Sequence, residues 1–120
     1  MTKRIATTLE TRAKARGGIS AKRLAEMIEE ATVDAYGEYE QAIGWFTMFE
    51  NHLDLPFETE VLGVRVSVEK IDLLDEAHIV AVCRRGRKRQ TIGITELPLP
   101  TPKPTGAEWI EAYRHWCGGR

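Results

Sequence analysis

An α+β domain, with helices first and a small β-barrel of four or five strands after them, is the fold class this sequence predicts. Three observations point to it. Apolar residues repeat at helical spacing up to Leu53, the repeat shortens to two from Phe57, and a last helical stripe follows a run of alternating prolines. The 120 residues have 42% hydrophobic content, which fits one compact domain. Folding a chain of this size buries roughly 60–70% of its unfolded surface, enough for stability without disulfide staples.

The expected organisation is a basic flexible tail over 1–18, a helical part over 19–54, a barrel over 57–97, a Pro-rich spacer over 98–104 and a docked helix over 105–117. Ser20 is the expected N-cap of the first helix, with Leu24, Met27, Ile28 and Ala31 on its apolar face. Tyr39, Ala42, Ile43, Phe46, Phe49 and Leu53 make a second stripe. Gly37 between the two stripes allows either one bent helix or two joined at Tyr36-Gly37. Pro56 disfavours helix at Leu55 and closes this half.

Phe57, Thr59 and Val61 alternate with Glu58 and Glu60, and Val64, Val66 and Val68 repeat the pattern. Ile79–Cys83 is a short apolar run suited to a buried strand, and Thr91–Thr95 gives another. Gly86 between them can adopt the positive φ of a tight hairpin. Sequential strands with brief turns suggest a meander curled on itself. Prolines at 98, 100, 102 and 104 predict an extended tether. Thr105 and Glu108 have capping-box spacing, and Trp109, Ile110, Tyr113, Trp116 and Cys117 form one stripe. A helix of roughly a dozen residues is not stable alone in water, so this one must dock on the body.

The net charge of −1 hides a strong segregation. Residues 24–82 carry fourteen Asp or Glu against Arg65 and Lys70, a balance of −12, while 1–23 carry +6 and 83–120 carry +5. A concentrated acidic block attracts cations or a basic surface even when the whole molecule is near neutral. The start lacks the apolar centre of a secretory leader, and no stretch approaches the ~20 apolar residues of a membrane span. Together with two cysteines, Cys83 and Cys117, read as reduced thiols rather than as a bridge, this makes a cytoplasmic protein the expectation.

Carboxylates are the leading chemical candidates, because a hard cation such as calcium takes six to eight oxygen ligands. Asp34 and Glu38 stand at i, i+4 and are expected on one helix face. Asp72, Asp75 and Glu76 crowd the turn expected between Ile71 and Ala77. No EF-hand loop is present. The competing reading is a solvated face and a polar loop.

The order of features from Val33 to Leu97 is more specific. The segment Val33-Asp34-Ala35-Tyr36-Gly37-Glu38-Tyr39-Glu40 runs through Gly44-Trp45 and Phe46-Thr47-Met48-Phe49-Glu50 to Leu53-Asp54-Leu55-Pro56-Phe57-Glu58. The Gly63-Val64 step, the acidic turn and the Gly-Arg-Lys hairpin follow. This stretch resembles the bacterial calcium-binding protein family of the CcbP type, typified by the small cyanobacterial calcium buffer. The resemblance implies an SH3-like β-barrel preceded by helix, calcium held by surface carboxylates, and no catalysis.

Arg84, Arg85, Arg87, Lys88 and Arg89 support a second reading, an interaction module that binds nucleic acid or a protein partner through this cationic hairpin tip or through the barrel surface. The acidic block would repel a nucleic acid, and these arginines also suit intramolecular pairing. Enzyme constellations are weak: His52, His78 and His115 are scattered, and no nucleophile elbow, phosphate loop or His-Glu-x-x-His occurs. Cys83, His115 and Cys117 are a thin basis for zinc. Trp45, Phe46, Phe49, Trp109, Tyr113 and Trp116 read as core rather than a ligand cage. The expectation is a noncatalytic calcium buffer or sensor.

Overall fold

The computed structural model describes residues 18–118, so the expectation of a flexible tail falls, Gly18 apart, outside the described residues. Three helices, α1 (Ala21–Thr32), α2 (Glu38–His52) and α3 (Ala107–Cys117), accompany four strands: β1 (Phe57–Val61), β2 (Val64–Leu74), β3 (His78–Arg85) and β4 (Lys88–Gly93). The strands pair antiparallel in the order β1-β2-β3-β4. The class is therefore α+β. The sheet is open, with β1 and β4 as its edges, so the expected barrel is not closed by hydrogen bonds.

Helix α1 begins as its sequence dictates, the Ser20 hydroxyl accepting from the Arg23 backbone N–H at 3.1 Å. Leu24, Met27 and Ala31 are buried on its inner face. The chain breaks between the stripes, giving two helices rather than one bent helix. Along α2 the buried set is Ala42, Trp45 and Phe49, followed by Leu53, while Tyr39 and Ile43 are exposed. The inward arc is thus rotated from the expected stripe toward Trp45. Gly44 explains how closely α1 approaches: a Cβ there would lie 2.0 Å from the Ala31 carbonyl oxygen.

Trp45 meets Tyr113 edge-on at 5.3 Å and Trp116 at 5.6 Å, Phe49 meets Tyr113 at 5.6 Å, and His52 stacks on Trp109 at 5.0 Å. These ring geometries add to the area burial of the cluster. Helix α3 docks here, against α1 and α2, as its apolar stripe requires. Its start differs from the expected capping box. Gly106 is the N-cap, at φ 91, and a Cβ there would meet the His52 carbonyl oxygen at 2.0 Å. Close approach to the end of α2 decides the start in place of a Thr105 side chain. Arg114 ties the helix to the segment after β4, its guanidinium donating to the carbonyls of Ile94 and Leu97. Burial lowers the pKa of Arg114 from its ordinary value. The spacer lies along β1, where the Thr59 hydroxyl donates to the Pro98 carbonyl at 2.7 Å.

Strand β2 is longer than its valine alternation predicts because its phase changes once. Val68 pairs with Cys83 and Lys70 with Val82, leaving Glu69 as the surplus residue of a bulge. Val68 and Ile71, three apart, consequently both enter the core, and Asp72 faces the opposite side. Strand β4 begins at Lys88 rather than Thr91, and Ile94–Glu96 forms a turn. Cys83 and Cys117 form no disulfide.

Candidate metal centre and cationic hairpin

The five predicted ligands lie at two sequence-distant places, the α1–α2 elbow and the β2–β3 hairpin. Asp34 is not on a helix face: it sits in the elbow at φ 57, where α1 has ended, and Glu38 is the first residue of α2. The spacing i, i+4 fails because Val33 leaves helical geometry, with ψ 132 at the C-cap. The Tyr36 hydroxyl donates to Asp34 Oδ1 at 3.5 Å. Glu40 joins the elbow, its Oε1 accepting from the Tyr36 backbone N–H at 2.8 Å. The sequence reading missed Glu40, which stands three residues after the N-cap Gly37, as in a capping box, but reaches one residue further back than that box does.

At the other end, β2 runs to Leu74, so the turn is Asp75–Ala77 and Asp72 belongs to the strand rather than to the loop. Asp72 pairs with Val80, accepts from its neighbour Leu73 N–H at 2.9 Å, and lies 4.0 Å from Lys70 Nζ. Asp75 and Glu76 hold positive φ of 49 and 67, the sign a type I′ turn requires at both central positions, and Ala77 N donates back to the Leu74 carbonyl at 3.3 Å. Both side chains are exposed. Among the described residues, Glu26, Glu58, Glu69, Asp72 and Glu111 take part in ion pairs, whereas Asp34, Glu38, Asp75 and Glu76 do not. No three His, Cys, Asp or Glu side chains among the described residues are grouped as a ready metal site. The zinc reading from Cys83, His115 and Cys117 therefore has no assembled ligand set.

Strand alternation divides the cationic hairpin between two faces. The register sets Arg84 opposite Arg89 and Arg85 opposite Lys88, so Arg84 and Arg89 share one side of the sheet and Arg85 and Lys88 the other. On the first side both guanidiniums converge on Glu69, Arg84 through Nε to Oε2 and Arg89 to Oε1 at 3.4 Å. Hydrogen bonding from Arg84 chiefly, with its charge and Arg89 adding, lowers the Glu69 pKa from its ordinary value against an opposing desolvation. The bulge is what supplies this acid, and a run of five cations reads differently once Glu69 is counted. Arg85 donates to the Arg65 carbonyl at 3.0 Å, and Gly86, at φ 61, forms the tight turn as expected, with Arg87 beside it. The five residues do not form one phosphate-facing surface.

Carboxylate oxygens fit a hard cation in kind, and at the two turns they come as sequence neighbours such as Asp75 and Glu76, leaving water to complete any coordination shell. No curated protein and no solved structure matches the chain. A family model described as calcium binding, that of the CcbP type, matches residues 25–117, a span that includes most of α1, the whole sheet and α3, and so reaches beyond the Val33–Leu97 likeness. On that match across most of its 120 residues, the chain belongs to the CcbP-type calcium-binding family.

Proposed function

We propose that this protein is a noncatalytic calcium buffer of low affinity, acting in the cytoplasm, with Asp75 and Glu76, aided by Asp72, as one contact point and Asp34 and Glu38 as another. Family membership over residues 25–117 carries the reading. It is supported by the exposure of Asp34, Glu38, Asp75 and Glu76 and by their separation from the arginines, since a carboxylate already neutralised by a guanidinium has less to offer an ion. A buffer is favoured over a sensor because the carboxylates sit on short turns anchored to strands and helix ends. A bound ion would supply positive charge to these turns, and the residues' task is to hold it with oxygen atoms. We also read the bulged four-strand meander as SH3-like, a relation supported by strand order alone.

Calorimetric titration of chelator-stripped protein tests the function. Sites made of few carboxylates and much water belong to the weak class, Kd about 10⁻⁴ to 10⁻³ M. Absence of both heat and thermal shift at millimolar calcium would remove the proposal.

A further inference from the structure

Exposed large hydrophobic side chains among the described residues fall into two patches, with Leu74 apart. One is the elbow, with Val33, Tyr36, Tyr39 and Ile43; the other is the β1–β2 hairpin, with Leu62 and Val64. The patches carry opposite charge. The elbow is flanked by Asp34, Glu38 and Glu40. The hairpin borders a groove of about 520 Å³ floored by Val61, Val64, Val66 and Ile92 and rimmed by Arg85 and Lys88, with Glu96 its one acid; Arg89 also borders it, but its guanidinium turns to Glu69 on the other face.

The groove exists because the sheet extends past the helices. Val66 and Ile92 pack against the main core, and Val64 continues the same face by strand alternation, out to where it is exposed. Leu62 is the telling residue. It occupies the first central position of a two-residue turn at φ 52, where Asn or Asp is usual, and it is 97% exposed. A leucine there has an unfavourable backbone and an unburied side chain together, and no contact among the described residues relieves the second. A nucleic-acid occupant is disfavoured because the groove has no aromatic side chain on which bases could stack.

We propose that the protein self-associates head to tail, the acidic, tyrosine-bearing elbow of one copy seating in the basic apolar groove of the next. Tyr36, 84% exposed, is the protruding anchor, and Leu62 packs against it. Such a heterologous contact uses different surfaces on the two copies, so each molecule keeps one of each for further growth. The proposal stands apart from calcium binding, although Asp34 and Glu38 lie on the elbow, and its test is run in chelator for that reason.

Sedimentation velocity of the full chain from micromolar to millimolar concentration should show association that weakens as salt rises, since exposed charge pairs are screened. Leu62→Glu and Tyr36→Arg, at exposed positions that leave the core intact, should each lower the association constant by at least about tenfold, the effect of losing ~1.4 kcal/mol at a hot spot. Mixing the two is decisive. One variant keeps its elbow and the other its groove, so the mixture should form a one-to-one dimer and nothing larger. A monomer at all concentrations, association indifferent to both variants, or a mixture that stays monomeric would each overturn the proposal.

Discussion

Trp45 and Phe49 have no exposed surface and lie among the rings of Tyr113 and Trp116, whereas Leu62 and Asp75, at the two ends of β2, stand in solvent on backbone of positive φ. The first region buries large side chains around close helix contacts, at Gly44 and Gly106, that leave no room for a methyl group. The second leaves apolar and acidic groups uncovered on turns whose geometry is set by a few hydrogen bonds. Stability in a small domain is the narrow difference of large terms, so it concentrates where burial is greatest. Groups that must exchange water for an ion or a partner are found where it is least. Changes in the helical layer should therefore alter stability and spare binding, and changes at the hairpins should do the reverse.

The sharpest break comes from Trp45→Ala, which should cost about 3–5 kcal/mol by chemical denaturation followed by circular dichroism. Trp45→Phe should recover much of this, because the indole N–H of Trp45 is buried without a hydrogen-bond partner and its removal relieves an unsatisfied donor. A Phe variant as damaging as Ala would show that shape alone matters at this position. Next is Gly44→Ala, where the new methyl would require α1 and α2 to part; a cost of about 1–3 kcal/mol is expected, with calcium heats unchanged where the variant is folded.

Acid should act more modestly, and on the sheet. The folded Glu69 pKa is below its ordinary 4.5, so the ion network contributes stability above that value and loses it as pH falls through the folded pKa. Denaturation midpoints measured downward from about pH 5 should fall less steeply in Glu69→Gln than in the parent. Equal slopes would mean that Arg84 and Arg89 stabilise nothing through this acid. The smallest stability change, within about 0.5 kcal/mol, is expected for Asp75→Asn with Glu76→Gln, because asparagine tolerates left-handed backbone and both sites are exposed. Calorimetry should nevertheless lose calcium heat. Full heat in that variant would move the binding contacts to Asp34 and Glu38.

The same contrast explains what was legible in the sequence. Ser20, the β1 and β2 alternation, the Gly86 turn and the stripe of α3 are local signals, each readable from a residue and its near neighbours, and the structure follows them. Trp45 reads as core from its type but not as part of the α2 stripe, because the direction of burial depends on what α3 supplies, some 70 residues on. Gly106 displaced the expected Thr105 cap for a similar reason, the nearness of His52. The candidate ligands were found by composition, but their setting was not. Asp34 lost its helix to the elbow, and Asp72 was drawn into a strand by β3 pairing. Most of all, the grouping of five cations concealed that alternation sends them to opposite faces.

Glu69 adds one residue to β2 without lengthening its partner, and the strand after it is read half a repeat out of step with the strand before it. An in-frame deletion of this single codon would close the bulge and leave Ile71 opposite Ala81, since Lys70 already pairs with Val82, but it would take from Arg84 and Arg89 the acid they share. The surplus residue thus sets the charge of the face that carries Arg84 and Arg89, not the register of the acidic hairpin that follows. Length changes here are the ones to watch when natural variants of this chain are compared.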